Sequence, residues 1–109
     1  MESFIVLTAL LQLHLRHAHT LKDKRQVLQK MTQKLKNFGF SVTEVAHQDN
    51  PQRAALGLSF TGRDTGALEV AERELNKHLL GDFEVVGFYK DYIDFEPQLG
   101  QGEISPNLF

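Results

Sequence analysis

The sequence predicts a single α+β domain whose elements follow the order βαββαβ. Three observations lead to this fold class. In some segments the apolar residues recur every second position, as in a strand, and in others they recur at the spacing of a helix. Turn-forming residues separate these segments. The chain of 109 residues is long enough for one hydrophobic core. Two helices are then expected to cover one face of a four-stranded antiparallel sheet.

The first strand and the first helix are the clearest elements. From Phe4 to Leu15 apolar residues occupy every second position on one side, which predicts a strand with a buried face. From Leu21 the apolar residues recur at helical spacing, and Thr20 with Asp23 forms a capping-box pattern at the start. Gly39 is the expected stop of this helix.

Two more strands are predicted after this helix. Phe40–His47 and Ala54–Phe60 are both rich in strand-forming residues. Between them lies Gln48–Gln52, which contains Asp, Asn and Pro, residues that favour turns. The two strands are therefore expected to pair as a hairpin.

A second helix and a fourth strand complete the domain. Asp64 or Thr65 is expected to cap the helix, which ends at Gly81–Asp82. Its apolar stripe consists of Leu68, Ala71, Leu75 and Leu79. Phe83–Tyr92 is predicted to be the last strand, which gives the split βαβ arrangement of ferredoxin-like folds.

The domain is expected to span residues 1–92. Residues 93–109 are rich in Gly, Pro and Asn and carry only isolated apolar side chains. We therefore expect them to form a C-terminal extension and not a second domain.

Composition excludes several classes of protein. The chain has no cysteine, which removes disulfides, thiolate nucleophiles, iron–sulfur ligation and cysteine-based zinc sites. No segment approaches the roughly 20 apolar residues that span a bilayer, and acidic Glu2 stands where a signal peptide has a basic flank. We expect a cytoplasmic protein that does not bind a membrane and needs no cofactor.

Charge is divided unequally along the chain. Between Arg16 and Lys36 there are seven basic residues and one acid, a net +6, whereas the remainder holds five basic and thirteen acidic residues, a net −8. The excess lies mainly in the first helix, which suggests phosphate contacts with a nucleic acid through Lys30, Lys34 and Lys36. The alternative is an ordinary solvated helix surface.

The topology brings two polar segments to the same end of the domain. The loop between strand 1 and helix 1 and the hairpin between strands 2 and 3 share this end, which we call the upper rim. Unpaired N–H groups at the start of helix 1 make it a candidate site for an anion or a partner. Its candidate residues are His19, Thr20, Lys22, Lys24, Arg25, His47, Gln48, Asp49, Gln52 and Arg53.

Lys24 is the unexpected member of the upper rim. A helix turns by about 100° per residue, so Lys24 points along the apolar stripe that contains Leu28 and Leu35. It is expected either to reach past the end of the sheet or to pair with an acid such as Asp49 or Glu44. Its role is then that of a lysine whose stem packs at the edge of the core, or that of a ligand contact.

Metal binding and catalysis have weaker sequence support. His14, His17 and His19 match no compact zinc spacing, and no metal site is predicted. An acid–base pair of His47 and Asp49 is a third hypothesis, but no nucleophile accompanies it. No catalytic residue is therefore assigned.

The sheet face that the helices leave open has two implications. RNA-binding sheets of the RRM type stack bases on aromatic residues in strands 1 and 3, but this chain is expected to place Thr8, Leu10, Ala55, Gly57 and Ser59 there. RNA would then bind through the basic helix and the upper rim. The same face carries apolar residues, which favours a homo-oligomer, most simply a dimer: Val6, Leu10, Val45 and several of 83–89.

Two motifs support a family resemblance. Ala18–Arg25 resembles the Ala-His-Ser-Leu-Lys-Glu-Lys-Arg signature of the bacterial YlxP-like family, domain of unknown function 503. The second motif of that family resembles Val42–Val45, Gln48–Asp49, Gln52–Ala54 and Leu56–Gly57, and the similarity covers roughly residues 4–92. Pro51 departs from the family pattern, which has an aromatic residue before Gln52.

The resemblance implies a ferredoxin-like, oligomeric protein without an established enzymatic activity. Genes of this family often lie among those for translation and ribosome maturation, which associates them with RNA. The leading hypothesis is a non-enzymatic RNA-binding or ribosome-assembly protein. The alternatives are a module for a small anionic ligand at Thr20, Lys24, Arg25 and Arg53, or a structural homo-oligomer.

Overall fold

The computed structural model describes residues 3–79, 81 and 83–96. The element order βαββαβ is confirmed, and both helices lie on one face of the sheet. The elements are β1 (Phe4–His14), α1 (Leu21–Phe38), β2 (Ser41–Ala46), β3 (Arg53–Gly62), α2 (Thr65–Lys77) and β4 (Glu84–Phe95).

The sheet has the strand order β2-β3-β1-β4, and every neighbouring pair is antiparallel. This arrangement confirms the predicted ferredoxin-like α+β fold. β1 is central because it pairs along its whole length with both β3 and β4. Two antiparallel hydrogen-bonded neighbours keep β1 in register, so the residues of its two faces are well defined.

The pairing register separates the core from the open face of the sheet. Leu11 pairs with Leu56 of β3 and Phe88 of β4, and all three belong to or pack against the hydrophobic core. The preceding residue, Leu10, pairs with Gly57 and Tyr89 on the open face. The largest fully buried apolar side chains are all leucines: Leu7, Leu11, Leu13, Leu15, Leu35, Leu56 and Leu75.

The helix boundaries agree closely with the local sequence signals. At α1 the Thr20 hydroxyl accepts from the Asp23 N–H, and the Asp23 carboxylate accepts from the Thr20 N–H, each at 3.1 Å. This confirms the capping box. Gly39 ends α1 with a φ of 128°, a conformation that L side chains rarely adopt. Asp64 caps α2, which ends at Lys77, before the predicted stop at Gly81–Asp82, so that Leu79 of the predicted stripe lies beyond the helix.

β4 is longer than the sequence predicts. It continues to Phe95, three residues beyond Tyr92, and the Phe95 ring stacks on Phe4 of β1 at a centroid distance of 4.7 Å. Antiparallel pairing with β1 explains the extension, because Phe4 has its partner at Phe95. Residues 97–109 of the predicted C-terminal extension lie outside the described residues. Among the helices described, none is long and apolar enough to cross a membrane.

Candidate functional site

The structure brings the two predicted polar segments together at the upper rim. The Leu15 N–H donates to the Gln52 carbonyl oxygen at 2.8 Å, which joins the β1–α1 loop to the β2–β3 hairpin. The Gln52 side-chain amide donates in turn to the Arg16 carbonyl oxygen at 3.4 Å. The rim is therefore one continuous surface.

Lys24 anchors α1 to the hairpin from inside the protein. Its side chain is only 2% exposed, and its Nζ donates to Glu44 Oε2 at 2.8 Å. Three carbonyl oxygens also lie within hydrogen-bond distance of Nζ, those of His47 at 2.8 Å, Arg53 at 3.1 Å and Gln48 at 3.4 Å. An ammonium group has three protons, so these four acceptors leave none for a ligand.

Of the two alternatives for Lys24, the structure shows the pairing with Glu44. The backbone of the hairpin is irregular where it meets Lys24. β2 has an irregularity in its pairing between Glu44 and Ala46, and the next residue, His47, has a φ of 65°. His47 is the one non-glycine residue with positive φ in the described part of the chain, and its carbonyl accepts from both Lys24 and the Asn50 N–H. The charge of Lys24 offsets the cost of this conformation.

The start of α1 already holds a carboxylate. Asp23 accepts from the N–H groups of His19 at 3.0 Å and Thr20 at 3.1 Å. These backbone donors lower the pKa of Asp23, with a smaller contribution from the Thr20 hydroxyl. The negative charge therefore sits where an anionic ligand would bind, and the predicted anion site at this helix end loses Thr20 and Lys24 as free donors.

The remaining candidates on the upper rim are exposed. They are His19, Lys22, Arg25, His47, Gln48, Asp49 and Arg53, whereas Gln52 is half-buried. The side chains of His47 and Asp49 form no hydrogen bond with each other within the described residues, so the geometry of an acid–base pair is not present. The described residues also contain no group of three side chains that could hold a metal ion.

The basic surface of α1 is exposed and free of ion pairs. Lys22, Arg25, Lys30, Lys34 and Lys36 are all exposed, and none pairs with an acid among the residues that the structure describes. Three exposed cations outside α1 do form ion pairs, whereas Arg63 and Arg73 form none among the described residues. Lys77 pairs with Glu74 and Lys90 with Glu72, at 3.3 and 3.2 Å, and Arg16 pairs with Glu84 at 3.4 Å.

A groove that the sequence does not predict lies beside α1. It encloses about 620 Å³ between α1 and the connection from α2 to β4, and we call it the α1 groove. Lys30 and Lys34 line one side, and His17 and His78 contribute imidazoles. The sequence shows that Lys30 and Lys34 lie one helical turn apart. No sequence pattern near His78 indicates that this residue lines the same groove.

The open face of the sheet matches its expected composition. Thr8 pairs with Ser59 and Leu10 with Gly57, so the middle of β1 and β3 presents no aromatic ring. Large apolar side chains are exposed elsewhere on this face: Val45 in β2 and Tyr89, Ile93 and Phe95 in β4.

The fold and the site define a small ferredoxin-like α+β protein with a basic first helix and an internally anchored rim. A family model described as "Protein of unknown function (DUF503)" matches residues 6–86. The chain belongs to this family, as the two sequence motifs indicated. Among curated proteins, none is significantly similar to the chain in sequence.

Two solved structures are similar to the chain at low sequence identity. One is LarC2, the C-terminal domain of a cyclometallase involved in the synthesis of the NPN cofactor of lactate racemase, in its apo form. It is 17% identical with a TM-score of 0.50, and the match covers 86% of this chain and 58% of LarC2. The other, the de novo designed protein Foldit4, is 12% identical with a TM-score of 0.45 and coverages of 86% and 99%. The LarC2 match is a likeness of fold alone.

Proposed function

We propose that the protein is a non-enzymatic cytoplasmic factor that binds RNA, or an RNA-containing component of ribosome assembly, through α1 and the upper rim. The observation that carries this proposal is the exposed basic surface of α1 without intramolecular ion pairs in the described residues. Cations that pair with no acid of their own chain are available to neutralise phosphates, and the counterions they release favour binding.

The structure of the rim supports this proposal in a second way. Lys24 ties the start of α1 to the hairpin, so the exposed side chains of Lys22, Arg25 and Arg53 project from a fixed backbone. A fixed set of cations loses less conformational freedom on binding than one carried by a mobile loop. The rim also carries Asp49, whose negative charge restricts how a phosphate backbone approaches.

A salt-titrated binding assay with ribosomal RNA tests the proposal. We expect affinity to fall steeply with salt, because each neutralised phosphate of a single strand contributes about 0.7 to the slope of log K against log salt. Replacing Lys30, Lys34 and Lys36 with Glu should weaken binding at least about tenfold at low salt and should reduce the slope.

A matched triple variant controls for overall charge. Arg73→Glu, Lys77→Glu and Lys90→Glu change the net charge by the same amount, but they alter α2 and β4. Binding of this control should fall much less than that of the α1 variant. Equal losses, or an affinity that salt does not change, would show that α1 is not the RNA-binding surface.

We also propose that two copies of the chain associate through the open face of the sheet. The favouring observation is the exposure of Tyr89 and Ile93 on this face, at 63% and 43%. Apolar surface of this kind marks interfaces in many oligomers. Sedimentation of Tyr89→Asp with Ile93→Asp should give monomers, whereas Val70→Asp, which alters an exposed valine of α2, should leave the dimer intact.

A further inference from the structure

The α1 groove combines positive charge with apolar surface. Its volume, about 620 Å³, lies within the range of about 300 to 1,000 Å³ that is typical of small-ligand sites. Val27, Met31 and Phe83 form the apolar part of the lining. Met31 is buried and belongs to the core, while Val27 and Phe83 pack against the core and stay partly exposed. The groove thus has a firm hydrophobic wall.

Lysine and histidine side chains line the groove beside its apolar part. Lys30 and Lys34 lie one helical turn apart on α1, and each is exposed and has no hydrogen-bond acceptor among the described residues. His17 approaches from the β1–α1 loop and His78 from the end of α2. Lysine and histidine side chains at this spacing suit a phosphate group, to which they donate hydrogen bonds.

The acids near the groove already have hydrogen-bond partners within the chain. Asp23 lines it, but its carboxylate accepts from the His19 and Thr20 backbone N–H groups. Glu74 contacts His78 and Lys77, each at 3.3 Å. Neither carboxylate contacts Lys30 or Lys34, so the ammonium groups remain available to an external anion.

We propose that the α1 groove binds a nucleotide, with the phosphate between Lys30 and Lys34 and the base against Val27, Met31 and Phe83. A ligand with one charged end and one planar apolar end matches the two kinds of lining. The nucleotide is either free or one unstacked unit of single-stranded RNA. In the second case the groove deepens the proposed RNA binding, and this part of the inference rests on that proposal.

Titration with three small probes tests the ligand class. We expect adenosine 5′-monophosphate to bind the full-length protein at least tenfold more tightly than inorganic phosphate or adenosine, because only the nucleotide contacts both parts of the lining. The single-stranded RNA hexa-adenylate is the fourth probe, and it reports whether the nucleotide unit is recognised within a strand. Equal affinity for the nucleotide and inorganic phosphate would show that the apolar part of the lining does not bind the base.

Two variants with the same change of charge locate the site. Lys30→Gln with Lys34→Gln alters the groove, whereas Arg63→Gln with Arg73→Gln alters two exposed positions outside α1 that do not line the groove. The groove variant should weaken nucleotide binding at least tenfold and the control less than threefold. All four positions are exposed, so neither variant is expected to unfold the protein.

Each outcome has one interpretation. Selective loss with the mononucleotide alone identifies a free nucleotide as the ligand, and selective loss with hexa-adenylate alone identifies RNA. Selective loss with both probes shows that the groove binds a nucleotide unit whether it is free or part of a strand. No binding of either probe, or equal losses in both variants, overturns the groove site. If ribosomal RNA still binds while both probes fail, the groove is excluded and RNA binding by the outer surface of α1 stands.

Discussion

The helices α1 and α2 cover the same face of one sheet, but they use their charged residues in different ways. α1 buries one cation, Lys24, and leaves its exposed cations without acids among the described residues. α2 has no buried charge, and most of its charges pair within the chain, Glu74 with Lys77 and His78, and Glu72 with Lys90 of β4. Glu69 and Arg73 are exposed and form no ion pair among the described residues.

This difference separates a structural role from a binding role within α1 itself. Lys24 fixes the helix to the hairpin, so the outer lysines are not needed to hold it there. The pairs of α2 lie at its surface, where each contributes at most about 1 kcal/mol. We infer that α2 satisfies most of its charge within the chain, whereas α1 presents an excess of positive charge to an external partner.

The largest expected effect comes from removing the buried cation. Lys24→Met keeps most of the length of the side chain but removes the donor to Glu44 and to three carbonyl groups. We expect a loss of about 3 to 5 kcal/mol in the free energy of unfolding, as for other broken buried pairs. Lys77→Met, the matched change on α2, removes only an exposed pair and should cost less than about 1 kcal/mol.

Urea unfolding followed by circular dichroism measures both variants. A loss below about 1 kcal/mol for Lys24→Met would show that the anchor is dispensable, and the contrast between the helices would then rest on surface charge alone.

For Lys24, the sequence predicts the direction of the side chain but not its hydrogen-bond acceptors. The direction of Lys24 followed from helical period, and the capping box followed from two residues three apart, because both are local. The acceptors of Lys24 depend on the irregular pairing of β2 and on the positive φ of His47. No propensity encodes these features, since tertiary contact stabilises them.

The α1 groove was unpredictable for a related reason. Its two sides come from α1 and from the connection after α2, which includes His78 and Phe83. Topology brought the β1–α1 loop and the hairpin to one end of the sheet, and that juxtaposition was predictable. The distance between a helix flank and a remote connection depends instead on side-chain packing, which the element order does not specify.

A smaller effect on the free energy of unfolding is expected from Asp23 of α1 and Glu74 of α2, whose pKa values are lowered for different reasons. The pKa of Asp23 lies below its usual 3.8 because backbone N–H groups donate to it, and that of Glu74 lies below its usual 4.5, chiefly through the hydrogen bond from Lys77. A lowered pKa in the folded state stabilises the protein above the usual pKa, and this stabilisation is lost as the pH falls. Asp23→Asn and Glu74→Gln should therefore each be less stable than the parent at pH 7, and both differences should shrink in acid.

Salt separates the two cases in the same unfolding measurements. The partners of Glu74 include the charged Lys77, whereas those of Asp23 are chiefly neutral N–H groups. Raising the ionic strength to 1 M should therefore reduce the Glu74→Gln difference more than the Asp23→Asn difference, because screening weakens exposed ion pairs. An equal reduction would mean that both helices depend on long-range charge.

The smallest expected effect tests whether the charge of α1 costs stability. Lys30 and Lys34 stand at i and i+4, where like charges destabilise a helix by about 0.2 to 0.5 kcal/mol. Lys34→Gln should therefore raise the free energy of unfolding by about this amount at low salt and by less at high salt. On α2, Lys77→Gln should lower it slightly, since that change removes an attraction to Glu74. Opposite signs for the two changes, read from urea midpoints, would mean that α1 keeps its charge at the expense of its own stability, as expected of a binding surface. A loss of stability in Lys34→Gln would instead assign that lysine a structural role.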